Sequence, residues 1–325
     1  MSRRNSFLQI SLSISLLAVL LVPSVYSQEN RIALITEVQG TVEVAREGST
    51  DFEKAEWGSP LFEGDQVRTG DASEAVVLFS SNNMLTVREG NTFTVSSGSV
   101  STGSLSGPVR AVEGDLMAAA SDLTLHRAGE GEIAVLGGLR SGGSDSAVEL
   151  QSPLNTRITE GQPRFSWTVY DEFEFYTVSV RSSGGEVWST TTEEMTITYP
   201  ADAPSLAPGQ EYFWQVTAEG MLDESVSSLA RFVILSESEI AAVQSGRAQI
   251  ASMFEGRGDS SAMQFMIGSM LIKSGLLADA LEMFKEIAET HPSASMTYEI
   301  MGKLYYEMGM KDKAVQALQT AIALH

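Results

Sequence analysis

The sequence predicts a multidomain chain: an N-terminal all-β domain, a β-sandwich after it, and a C-terminal α-helical stack. Three observations predict this order. Residues 31–95 break into short apolar or alternating runs separated by Gly, Asn and Asp turns. Residues 148–235 repeat that pattern with aromatic-rich runs. From Ser236 the apolar spacing changes to a helical one, and residues 261–325 carry an internal repeat of 34 residues, since 302 − 268 = 34 for the matched glycines. The 325 residues suffice for two or three domains.

The balance of 21 Lys+Arg against 42 Asp+Glu gives a net charge of −21. A general nucleic-acid binder is thereby disfavoured, because phosphate backbones need clustered cations. A protein held on anionic lipid by a basic patch is disfavoured for the same reason. There are no cysteines, which excludes disulfides, thiolate metal sites and cysteine nucleophiles. Only three histidines occur, His126, His291 and His325, with no ligand-spaced neighbours, and all three read as surface or loop residues. No motif for a serine nucleophile, a zinc protease or a phosphate-binding loop is present. The sequence therefore predicts no enzyme, no catalytic residue, no metal and no cofactor.

The first element is an export signal. Arg3 and Arg4 precede an apolar stretch, and small residues follow at Val25 and Ser27. The run from Ile10 to Val22 is 13 residues with three serines, short of the roughly 20 a membrane span needs. Residues 1–27 are read as a cleaved signal peptide, so a membrane partner is expected only if this segment stays uncleaved. The expected location is periplasmic or secreted.

Residues 28–145 form the next unit. Strands are expected at Ile32–Ile35, Gly40–Val44, Ala75–Phe79, Met84–Val87 and Thr92–Val95. The segments Val38-Gln39-Gly40-Thr41-Val42, Trp57 to Thr69, and Ser73 to Phe79 resemble the FecR domain family. In that resemblance Gly64, Asp65 and Thr69 are structural: Gly64 supplies a left-handed backbone angle, and Asp65 bonds nearby backbone N–H groups. Residues 96–107 hold six Ser and three Gly in twelve, either a flexible linker or a set of polar strands. A boundary is expected within 141–147.

Residues 148–235 predict six or seven short strands, consistent with an immunoglobulin-like sandwich. The run Leu206 to Val216, with Pro208-Gly209 and then Tyr212, Trp214 and Val216, resembles fibronectin type III-like domains. Trp167 and Trp214 are core candidates. A helix is expected from Glu237 to Phe254, capped by Ser236 or Ser238.

The 34-residue repeat pairs Gly268 with Gly302, Leu271 with Tyr305, Gly275 with Gly309, Ala280 with Ala314 and Phe284 with Leu318. It resembles the tetratricopeptide (TPR) family, with repeats at about 261–294 and 295–325 and a degenerate packing helix before them. Gly268, Ala280, Gly302 and Ala314 are the small positions that let paired helices approach. The resemblance implies a partner groove at Phe265, Ser269, Ile272, Lys273, Glu299, Lys303 and Tyr306. Nine of the fourteen methionines lie between Met253 and Met310, and pliable Met-rich surfaces suit partner binding. The function expected is a non-enzymatic envelope scaffold: the FecR-like domain contacts an envelope component, and the TPR helices bind a protein partner or a second copy. Cell-wall glycan binding through the β-domains is one alternative. A FecR-type signalling role is another.

Overall fold

The computed structural model describes residues 31–80, 83–96, 146–221, 224–257 and 260–324, with the backbone of 109–111. The expected signal segment, nearly all of the Ser/Gly-rich stretch, and His126 and His325 lie outside the described residues.

The N-terminal unit contains β1 (Ala33–Gln39), β2 (Val42–Ala45), β3 (Glu53–Lys54), β4 (Pro60–Leu61), β5 (Gln66–Thr69), β6 (Glu74–Phe79), β7 (Asn83–Val87), β8 (Thr92–Thr94) and β9 (Val109–Ala111). They form two antiparallel sheets, β4-β1-β6-β7-β9 and β3-β2-β5-β8. Ile35, Leu61, Val67, Val77, Phe79, Leu85 and Phe93 fill a core between them. The turn before β5 shows why glycine and aspartate stand there. Gly64 has φ of 80°, and a Cβ on it would meet the Glu47 side chain at 2.7 Å. Asp65 is buried, and its Oδ2 accepts from the Phe62 amide at 2.9 Å and from Arg46 Nη1 at 2.6 Å. Thr69 on β5 donates to the carbonyl of Arg88, which directly follows β7 of the other sheet.

Strand β6, expected from the sequence over Ala75–Phe79, is buried on both faces. Ala75, Val77 and Phe79 point into the domain's own core, whereas Val76 and Leu78 join a second cluster with the helices and the sandwich. Successive side chains of a strand face opposite sides, so an unbroken apolar run serves two cores at once.

The second unit comprises β10 (Val148–Ser152), β11 (Thr156–Ile158), β12 (Arg164–Val169), β13 (Phe175–Ser182), β14 (Gly185–Thr192), β15 (Thr196–Thr198), β16 (Glu211–Glu219), β17 (Glu224–Val226) and β18 (Ala230–Ile234). One sheet runs β10-β12-β15; the other runs β11-β18-β16-β13-β14, with β17 on β16. This is the immunoglobulin-like sandwich. Trp167 and Trp214 are buried in it. Phe165 packs on Trp214 at 4.9 Å and on Phe232 at 5.8 Å between ring centroids. The Trp214 indole donates to the Pro153 carbonyl at 2.7 Å, so its polar edge is satisfied inside the core. β11 pairs with β18 in parallel, and the Leu235 amide extends the pair by donating to Ile158 O at 2.9 Å.

Five helices follow: α1 (Glu237–Met253), α2 (Ser261–Lys273), α3 (Leu277–Thr290), α4 (Ser295–Glu307) and α5 (Lys311–Ala323). Ser236 opens α1 in a capping box: its hydroxyl accepts from the Glu239 amide, and the Glu239 carboxylate accepts from the Ser236 amide at 2.9 Å. Val243, Gly246 and Ile250 are the buried stripe of α1. In the paired helices, the ideal Cβ of Gly268 would lie 2.9 Å from the Phe284 ring, and that of Gly302 2.6 Å from Leu318 Cγ. Ala280 and Ala314 are fully buried. The small positions are thus set by direct helix–helix contact.

Candidate functional site

The helices run between the two β-domains, and each domain supplies groups to the helix ends. Helix ends leave unpaired backbone N–H and C=O groups. Neither Leu276 nor Met310 can cap a helix through its side chain. At α3 the missing cap comes from the sandwich: Thr156 Oγ1 accepts from the Leu277 amide at 2.9 Å. The Arg157 amide donates to Gly275 O at 2.9 Å, its guanidinium to Ser274 O at 3.3 Å, and Asn155 Nδ2 to Met308 O at 3.1 Å. Arg157 also pairs with Glu239 at 2.6 Å. That hydrogen bond, with those from Ser236, holds the Glu239 carboxyl down at about 2.

The opposite ends meet the N-terminal β-domain. Ser260 caps α2 and donates its hydroxyl to the buried Glu37 carboxylate. Ser261 donates to Thr36 O at 3.1 Å. Arg257 pairs with Glu74 at 2.8 Å. The loop between β3 and β4 carries Trp57 into the helices, where it is 4% exposed. Its ring sits edge-on to Phe265 at 5.8 Å and stacked on His291 at 5.7 Å and 15°. Glu56 accepts from Ser293 at 3.0 Å, and Gly58 lies against Met296 and Ala294. The Trp57 Nε1 finds no acceptor among the described residues. Burial lowers the His291 pKa from its ordinary value, with Glu37 acting weakly in the other direction.

This arrangement corrects the expected groove. Phe265 is 1% exposed and lies between Trp57 and Phe284, whose ring is 5.9 Å away. Ser269 is fully enclosed, its hydroxyl donating to Phe265 O at 2.7 Å in its own helix. Glu299 is buried as well. These three do not line an open surface. Ile272 and Lys303 are half-buried, and Lys273 and Tyr306 are exposed, Tyr306 at 47%. The accessible part of the predicted groove is therefore its half towards the C-terminal ends of α2 and α4. His291 stands in the loop after α3, half-buried, and its ring forms part of an aromatic junction with Trp57.

Trp57, Gly58, Glu37, Thr156 and Arg157 were not singled out as interface residues from sequence. An indole inside a polar loop, between Glu56 and Gly58, is the signal that marks Trp57. Thr156 carried none, because a threonine in a strand is unremarkable. Among the described residues no helix is long and apolar enough to cross a membrane.

Comparison with known proteins supports two of these units. Residues 148–234 match the family model of the Rha78A-like N-terminal immunoglobulin domain, and residues 298–325 match a tetratricopeptide repeat model. No curated protein matches the chain. Among solved structures, an alpha-L-rhamnosidase from Dictyoglumus thermophilum is similar at 25% identity and TM-score 0.24, over 29% of this chain and 14% of that one. A beta-1,2-glucanase from Parabacteroides distasonis is similar at 15% identity and TM-score 0.22, over 55% of this chain and 33% of that one. The chain thus spans well under two thirds of the length of either.

Proposed function

We propose that this chain is a non-enzymatic scaffold of the bacterial envelope, exported to the periplasm or beyond, whose helical stack engages a protein partner. The carrying observation is the position of the stack. Both β-domains bond to its helix ends, yet Lys273 and Tyr306 stay exposed on the first helices of the two repeats. A tetratricopeptide repeat is a protein-interaction element, and the TPR match supports that role. The N-terminal domain, FecR-like in its Gly64-Asp65 turn, contacts the envelope component in this reading. The test is in-cell crosslinking of the tagged chain, with a Lys273→Glu/Tyr306→Ala variant as control. Capture of one protein that the variant loses supports the reading; capture unchanged in the variant overturns it.

A second reading, cell-wall glycan binding, draws on the sandwich, where Tyr170 and Phe175 are 69% and 43% exposed. Exposed aromatic faces suit stacking on sugar rings. Retention on purified cell wall that Tyr170→Ala/Phe175→Ala abolishes would favour it.

A further inference from the structure

The outer face of the larger sandwich sheet carries neutral polar groups in its centre and an aromatic ring at each end. In β13 and β16 every second residue is buried in the sandwich core, so Phe175, Thr177, Ser179 and Arg181, and Phe213, Gln215, Thr217 and Glu219, stand on the other side. On β14, Trp188 packs inward on Phe165 and Tyr199, which leaves Ser189 and Thr191 outward. The strand pairing lines these side chains up in rows. Thr191, Thr177 and Thr217 form one row, and Ser189, Ser179 and Gln215 form the next. Past the second row Phe213 stands between Arg181 and Arg231; past the first, Phe175 stands opposite Glu219. The stretch of β13 from Phe175 to Arg181 is roughly 20 Å long. Thr177 Oγ1 reaches Thr191 Oγ1 and Glu219 only at 3.4 Å, and the hydroxyls of Ser179, Ser189 and Thr217 bond to no protein group among the described residues.

This chemistry selects an occupant. The chain has a net charge of −21, yet the two central rows hold no charged side chain, so they offer nothing to a basic or an anionic macromolecule. A protein partner, or a second copy, seats the apolar centre of an interface on such a face. It would bury these hydroxyls unpaired, which is costly. A sugar chain brings hydroxyls to meet them and ring faces to meet Phe175 and Phe213. An open sheet face suits an extended polymer, whereas a small ligand needs a concave site. We propose that the outer face of β14, β13 and β16 binds a neutral, linear polysaccharide laid along the strands. Its sugar rings stack on Phe175 and Phe213, and its hydroxyls bond to the Thr and Ser rows. This rests on the glycan-binding reading of the sandwich and names both the face and the class of polymer.

The test is affinity electrophoresis of the full chain in native gels that hold hydroxyethyl cellulose, laminarin, galactomannan or xylan, with carboxymethyl cellulose as the anionic counterpart. At least one neutral polymer should retard the chain, and carboxymethyl cellulose should not. Ser179→Lys, at the centre of the face, should abolish the retardation. Thr191→Lys is the second blocking variant, since an edge strand tolerates lysine. Phe213→Ala should weaken binding roughly fivefold, the loss of one stacked ring. Circular dichroism melts establish that each variant is folded. Retardation by none of the neutral polymers, or retardation unchanged in folded Ser179→Lys and Thr191→Lys chains, overturns the proposal. A dimer in solution that Ser179→Lys splits assigns the face to a second copy and overturns it as well. Purified cell wall separates the two claims, because Tyr170 follows β12 of the other sheet. Retention on cell wall lost with Tyr170→Ala but unchanged in Ser179→Lys upholds the glycan reading and sinks this face. Retardation by a neutral polymer that Ser179→Lys abolishes, with no retention on cell wall, does the reverse.

Discussion

The rings of Trp57 and His291 lie stacked, 5.7 Å apart and 15° from parallel, joining the N-terminal β-domain to the turn between α3 and α4. The contact makes the domain arrangement sensitive to acid. Burial holds the His291 pKa below its ordinary 6.5, so the docked state favours the neutral ring. Its contribution is complete above the free value and is lost as pH falls through the depressed one. Intrinsic tryptophan fluorescence followed from pH 7.5 to 5 should report progressive undocking. His291→Phe, which keeps a stacking ring without titrating, should flatten that profile. An unchanged profile would remove His291 as its source.

The cap that Thr156 lends to α3 can be tested by shape-conserving substitution. Thr156→Val keeps the branched side chain in β11 but removes the acceptor for the Leu277 amide. The expected cost is about 0.5–2 kcal/mol, the usual range for losing an N-cap, read as a lower urea midpoint at unchanged slope.

Gly302→Ala tests the close approach of α4 and α5. The added methyl would meet Leu318 at 2.6 Å and Ala314 O at 3.4 Å. Overpacking of this kind costs about 1–3 kcal/mol. Thermal unfolding should show the loss, while Gly90→Ala, whose Cβ meets nothing within 4 Å, serves as a contrast governed only by backbone strain at its φ of 68°.

Glu239 links the sandwich to α1 through Arg157 and Ser236. Its pKa is lowered from 4.5 to about 2, chiefly by the Arg157 hydrogen bond. The stability it contributes is present above 4.5 and is lost as pH falls towards 2. Glu239→Gln should lower the melting temperature at neutral pH and reduce the pH dependence across that acid window. A melt series from pH 6 to 2 decides it.

The parts of the fold legible in sequence are those whose signal is local. The 34-residue spacing located the small residues of the helix pairs. The Pro208-Gly209 and Tyr212-Trp214-Val216 pattern located an aromatic core strand. Gly64-Asp65 was legible because a left-handed turn with a buried acceptor demands those two types. The groove was misread at Phe265, Ser269 and Glu299. A helix repeat shows which residues face the stack's inner surface, but not that Trp57 of another domain packs on Phe265, nor that Ser269 and Glu299 end up enclosed. That packing was encoded in features that look ordinary alone. Five consecutive apolar residues in β6 require two buried faces, and a tryptophan in a polar loop requires somewhere to put it. Thr156 and Arg157 were illegible because, the Arg157–Glu239 pair aside, their partners across the junction are backbone groups at helix ends, and backbone leaves no trace in composition.

The parallel pairing of β11 with β18 has a mechanical consequence. The chain passes from β18 into α1 almost at once, with only Leu235 and Ser236 between them. Tension between the N-terminal end of β11 and the helices therefore draws β11 and β18 past each other in opposite directions. Parallel neighbours pulled this way load their hydrogen bonds together, in shear, rather than opening one at a time. A cargo hauled by the helices would find the sandwich acting as a clasp that resists sliding.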